Sequence, residues 1–183
     1  LAATANEFQQ TAQDMRITAQ QVVKDIDTAR AELKRAIFDL PEETRNNADA
    51  MRKVVIDRPG SYEALRVVEL ADDDPAAVAV PGPGEVVVEV EAIGVNYADV
   101  IVRMGLYASA RELHGYPITP GFEAAGRVTA LGAGVDAFAL GQRVIVLTLF
   151  GAYASRLCVP VQRVFACPAG IEAAQAAAIP TVF

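Results

Sequence analysis

The sequence predicts a mainly β protein: a partly open, barrel-like β domain with short helices, preceded by an amphipathic α-helical segment. Three observations carry this. All 13 Gly lie between Gly60 and Gly170, so the first 50 residues lack turn punctuation and the remainder is rich in it. Residues 1–50 repeat apolar side chains at a 4–3 spacing, the helical period. From Met51 onward, short β-branched runs alternate with Pro- and Gly-containing turns, as many short strands require.

In the first segment, ten apolar side chains from Phe8 through Met15, Val22, Ile26 and Leu33 to Leu40 fall on one helical stripe. Four of the ten are Ala, so the stripe buries little without a partner. Asp39 opens a D-x-x-E box with Glu42 and Pro41 sits in its first turn, so a second helix is expected there. The run MRKVVID (51–57) satisfies both periods, and Arg58-Pro59-Gly60 after it favours a strand. Strands follow at 64–70, 85–95, 123–132, 142–148, 153–159 and 163–165, and helices at Tyr97–Met104 and 171–179. In 85–95, Val86, Val88 and Val90 point one way and Val87, Glu89 and Glu91 the other, so one face is expected to be buried. The domain organisation is therefore 1–50 and 51–183.

Composition excludes several function classes. The balance of 23 acidic against 16 basic residues, net −7, argues against a nucleic-acid or anionic-membrane partner. No apolar run is long enough to span a bilayer, and the first residues lack a secretory pattern, so a cytoplasmic protein is expected. Two Cys and one His make neither a disulfide framework nor a zinc finger. Cys158 and Cys167 are expected to be buried structural thiols. His114, in the polar run RELHGYP, reads as a solvated loop residue. Gly132-Ala133-Gly134 with Ala137 spells a dinucleotide-binding fingerprint, but no helix pattern and no acidic residue at the required distance follow. It reads as a turn.

The motifs PGPGEVVVEVEAIGVNYAD (81–99), RMGLY (103–107), PITPGFEAAGRV (117–128), LGAGV (131–135), GQRVIVL (141–147), GAYAS (151–155) and AAAIP (176–180) stand in a fixed order behind a strand ending in RPG. In that order they resemble the N-terminal, GroES-like catalytic domain of the medium-chain dehydrogenase/reductase superfamily. They are most similar to its zinc-free quinone oxidoreductase branch, the zeta-crystallin-like and vesicle-amine-transport-protein-like reductases. The likeness covers Met51–Phe183. Residues 1–50 lie outside it and resemble helical stretches of coiled-coil proteins.

What the resemblance implies is specific. Zinc-dependent relatives carry Cys where this chain has Asn96, and Gly-His-Glu where it has Gly121-Phe122-Glu123. No metal is therefore expected, since Phe122 cannot coordinate and Asn96 is a poor zinc ligand. NADPH is implied as the hydride donor. The family's G-V-N-x-x-D and G-x-Y segments place Asn96 and Asp99, with adjacent Tyr97, beside the nicotinamide ribose, and make Tyr107 the catalytic proton donor. Each also has a structural reading: Asn96 as a helix cap, Asp99 as a first-turn acid, Tyr107 as a loop anchor. Ile101 stands where quinone-reducing relatives often place a second aromatic.

Three function classes follow. The first is the substrate-side domain of a reductase of quinones, enones or enoyl thioesters, cut before the nucleotide-binding domain and inactive alone. The second is a binding or assembly module in which the helical seam recruits a partner and the barrel is passive. The third is a co-chaperonin-like barrel, disfavoured because GVNYAD is foreign to it. The first implies a small carbonyl or quinone substrate and leaves a homo-oligomer open.

Overall fold

The computed structural model describes residues 2–37, 51–71, 74, 77 and 80–182. The unpunctuated first segment is one helix, α1 (Ala2–Ile37), with Gln10–Asp14 and Gln21–Asp25 pairs along its polar side. Of its apolar stripe, Met15 is 70% exposed and Val22 half-buried. The second helix expected from Asp39 lies outside the described residues.

MRKVVID resolves as a strand. β1 (Arg52–Ile56) pairs antiparallel with β2 (Leu65–Glu69), Val54 opposite Val67. Five further antiparallel strands form the main sheet: β3 (Glu85–Ile93), β4 (Glu123–Leu131), β5 (Arg143–Leu147), β6 (Arg156–Pro160) and β7 (Val164–Ala166). Their order is β6-β3-β4-β5-β7. β1 crosses its end, with Val54 N–H donating to Tyr153 O at 2.9 Å and Ile56 N–H to Ile118 O at 2.8 Å. That crossing occupies Tyr153 and Ala154, so β6 starts three residues later than the sequence pattern predicts.

The sheet curls as a partly open barrel around Val86, Val88, Val128, Val144, Val146, Leu157 and Val159. Burial of each such side chain stabilises the fold by about 1.5–3 kcal/mol. The alternation in β3 holds for Val86 and Val88, both 0% exposed, but Val87 on the other face is also buried, at 2%. Arg156, on the outward face of β6, donates to Ala77 O at 3.0 Å.

Four short helical elements flank the sheet. α2 (Tyr97–Arg103) follows β3 and stops before Gly105, whose φ of 75° closes the turn. A single wide turn covers Ala110–His114. The helix expected at 171–179 is divided into α3 (Ala173–Ala177) and α4 (Ile179–Val182), because Pro180 has no N–H to continue it. Ala176 and Ala177 of α3 pack on Ala125 and Ile145, the sheet's outer side. No helix among the described residues is long and apolar enough to cross a membrane.

Two expectations about small motifs resolve differently. Gly132–Gly134 is a turn, with Ala133 O accepting from Gly84 N–H, and no helix lies between β4 and β5. The cysteines are not buried: Cys158 is exposed and Cys167 half-buried, both free. The period-two alternation explains Cys158, which sits between inward Leu157 and Val159 and so faces outward. Partial desolvation by neighbouring side chains and the nearby Glu85 carboxylate push its thiol up to about 11, which leaves it a poor nucleophile at neutral pH.

Candidate active site

The site begins where β3 ends. Gly94 and Val95 lead into Asn96, whose extended backbone (φ −118°, ψ 157°) makes it the N-cap of α2. Asp99, three residues on, accepts the Asn96 N–H at 2.8 Å, so the capping role is real. Both side chains have further partners.

Asp99 is 6% exposed, and its carboxylate also accepts the Tyr153 hydroxyl at 2.8 Å and the Gly121 N–H at 3.1 Å. Burial pushes its carboxyl up to about 6, against the pull of these three hydrogen bonds and with a small push from the Glu123 charge. The group thus backs the site from within the fold, joining α2 to Gly121 and to Tyr153 beside β1.

Glu123, the first residue of β4, is 1% exposed. It accepts Asn96 Nδ2 at 2.8 Å and Thr181 Oγ1 at 2.5 Å on Oε1, and Thr181 N–H at 2.9 Å on Oε2. Thr181 Oγ1 lies 3.0 Å from Asn96 Oδ1 as well. Glycine at 94 makes room for this carboxylate: a Cβ there would fall 2.1 Å from Glu123 Oε1 and 2.4 Å from its Cγ.

Next to Glu123, Phe122 packs on Tyr107 (ring centroids 5.7 Å apart) and on Phe150 (5.5 Å). Tyr107 meets Phe150 edge-on at 6.1 Å, and His114 meets the same ring at 5.7 Å. Tyr107 is half-buried, and among the described residues its hydroxyl has no hydrogen-bond partner. His114 is exposed, as a solvated loop residue should be, but its ring rests against this aromatic group rather than standing free. Arg103 fixes the far end of α2 by donating to Gly60 O at 2.6 Å and stacking 4.4 Å over the Tyr62 ring.

Of the residues singled out in the sequence, Asn96 and Asp99 come together in one network, and Tyr107 stands beside it across Phe122–Glu123. Tyr97 does not join them. It is 48% exposed and lines, with Met104 and with Thr18 and Val22 of α1, a separate cavity of about 670 Å³. Successive helical side chains diverge by roughly 100°, so Tyr97 cannot share the face of its neighbour Asn96. Sequence reasoning missed Glu123, Tyr153, Thr181 and Phe150. Glu123 and Thr181 were within reach only as parts of the GFE and AAIPT runs, since their separation of 58 residues leaves no local signal.

The donor set bears on metal binding. Among the described residues no three His, Cys, Asp or Glu side chains gather as a metal group. Asn96 turns its Nδ2 to Glu123, and position 122, next to Glu123, is an apolar ring, so this set does not fit zinc.

The family described as the alcohol dehydrogenase GroES-like domain matches residues 82–174. The rat synaptic vesicle membrane protein VAT-1 homolog is 36% identical over 132 residues, 72% of this chain and 31% of that protein. Escherichia coli quinone oxidoreductase, solved in complex with NADPH, superposes with a TM-score of 0.61 at 33% identity, covering 70% of this chain and 36% of that one. The CurK enoyl reductase structure superposes with a TM-score of 0.62 at 27% identity, covering 71% of this chain and 39% of that one. The chain spans about a third of the length of the curated relatives it matches. By this family match and these relatives, the chain belongs to the medium-chain dehydrogenase/reductase superfamily, in the quinone oxidoreductase branch, of which it carries the N-terminal GroES-like domain.

Proposed function

We propose that this domain is the substrate side of an NADPH-dependent, zinc-free reductase acting on quinones, enones or enoyl-type substrates. The carrying observation is the pairing of an amide held in place, Asn96, with an unpartnered phenol, Tyr107, on either side of Phe122–Glu123. Relatives that are quinone and enoyl reductases, one with NADPH bound, support the reading.

The residues present fit the nicotinamide end of NADPH. With one Nδ2 proton given to Glu123, Asn96 keeps one N–H and its carbonyl oxygen, suited to a carboxamide or ribose hydroxyl. Asp99 serves behind it by fixing the Asn96 backbone. NADPH, when bound, supplies the hydride. Tyr107 supplies the proton: its O–H bond breaks as the substrate oxygen gains the electron pair left by hydride addition, and solvent reprotonates the phenolate. Phe122 and Phe150 flank Tyr107 with apolar surface that excludes water and accepts a planar, conjugated substrate. With no metal to polarise the carbonyl, that hydroxyl carries the electrophilic role.

Tyr107→Phe keeps the packing and removes the donor. In a protein carrying this domain with a nucleotide-binding domain, it is expected to lower kcat about 100-fold with KM for NADPH unchanged, as loss of one general acid requires. Steady-state kinetics showing less than about a threefold change would remove Tyr107 from proton delivery.

A second reading keeps one observation in its favour. Met15, on the helical seam of α1, is 70% exposed, as a seam awaiting a partner would be. Under it the full chain sediments as an oligomer and the chain from Met51 as a smaller species.

A further inference from the structure

We propose that Glu123 is a positioning residue: its buried carboxylate decides which way round the Asn96 amide points and ties α4 to the same group. The inference rests on the reading that Asn96 faces the cofactor only for its functional consequence, not for its geometry.

An asparagine amide has two orientations of nearly equal shape, with oxygen and nitrogen exchanged. Here the partners distinguish them. Three donors converge on Glu123, namely Asn96 Nδ2, Thr181 N–H and Thr181 Oγ1, which is the environment of an acceptor-only carboxylate. The nitrogen of Asn96 must therefore face Glu123, because its oxygen there would set two acceptors against each other in a place 1% exposed to solvent. Thr181 Oγ1, 3.0 Å from Asn96 Oδ1, gives its one proton to Glu123 and so leaves the choice of orientation to the carboxylate. The Thr181 N–H is one of the orphan donors in the first turn of α4, so the same carboxylate also caps the helix that continues the chain.

Position 94 bears this out by a separate route. The Glu123 side chain lies where a Cβ on residue 94 would be, 2.1 Å from Oε1 and 2.5 Å from Cδ. Glycine there leaves the carboxylate its place against the chain just ahead of Asn96. Asp99 completes the hold by taking the Asn96 backbone N–H, so backbone and side chain of one residue are each fixed by a separate buried carboxylate. What remains free on Asn96 is one Nδ2 proton and the Oδ1 oxygen, in a set order.

Glu123→Gln tests this, because glutamine offers one acceptor oxygen and one donor nitrogen to three donors. One side must lose: either Asn96 turns over or Thr181 lets go. The measurement is the Asn96 side-chain ¹H–¹⁵N pair in the ¹⁵N-labelled 183-residue chain. The expected wild-type result is two widely separated Nδ2 protons, one exchanging slowly with water. In Glu123→Gln the separation is expected to collapse and exchange to quicken about tenfold, the equivalent of one hydrogen bond. Thr181→Val, at an exposed position, guards against a misfolded first variant; it removes the hydroxyl and is expected to shift the Asn96 pair while the backbone signals of Val86 and Val144 stay put. Asn96 protons that exchange freely in the wild type, or that are the same in both variants, would overturn the proposal. Titration with reduced nicotinamide mononucleotide separates the two claims. Asn96 protons that depend on Glu123 support the positioning role whether or not they respond to the nucleotide; silence toward it counts against the cofactor reading alone.

Discussion

Gly126→Ala is expected to destabilise the barrel by about 3 kcal/mol, lowering Tm by roughly 10 °C. Gly126 lies in β4, the middle strand of the main sheet, paired with Val90 on one side and Val144 on the other. A Cβ there would sit 1.9 Å from the Glu89 carbonyl oxygen and 3.0 Å from Val88 Cγ1. The first of these is backbone of a paired strand, so no rotamer change relieves it. Register shifts next to this pair, between Val90 and Ala92, are part of what draws the two strands so close. Relief requires β3 and β4 to part, which opens the core at Val88 and also moves the strand that leads to Asn96. Urea unfolding of the variant measures the effect, and a loss below about 1 kcal/mol would show that the strands yield more easily than close packing allows.

The second large effect is on pH dependence. Burial raises the Asp99 carboxyl from 3.8 to about 6 in the folded protein. Between these values the folded state holds a proton that the unfolded chain has released. The stability this contributes is fully present below the unfolded pKa and is lost as pH rises through about 6. The whole shift corresponds to roughly 3 kcal/mol, of which about 2 fall between pH 4.5 and 7.5. Asp99→Asn cannot titrate. Wild type is therefore expected to lose about 2 kcal/mol more than the variant over that interval, whatever the variant's absolute stability. Parallel urea curves across the interval would place Asp99 in a more hydrated setting than its 6% exposure indicates.

How much of this was legible in the sequence depends on the range of the interaction. Alternation within 85–95 placed Val86 and Val88 in the core, because a strand's two faces are set by its own pleat. The same rule misplaced Val87, which is 2% exposed on the opposite face, because cover for a sheet's outer face is not written in the strand itself. Asp99 was seen as a first-turn acid because D at N3 is a local signal. Its burial came from Tyr153 and Gly121, and nothing in GVNYAD announces them. Glu123 went unnoticed for the same reason: its partners Asn96 and Thr181 are 27 and 58 residues distant. Cysteine burial was read from residue type, whereas the strand period, available in YASRLCV, gives the outward position of Cys158. The motif order carried the family, and geometry then showed which side chains the motifs bring together.

The central claim is hydride reduction at Asn96 and Tyr107 without a metal. Its most direct test uses NADPH carrying deuterium at the nicotinamide C4, a conjugated enone, which keeps the transferred hydrogen on carbon, excess chelator, and this domain in one chain with a nucleotide-binding domain. The expected result is one deuterium on the reduced substrate, a rate untouched by chelator, and a KM for NADPH about tenfold higher in Asn96→Ala. Product without deuterium, or activity abolished by chelation and restored by zinc, would contradict it.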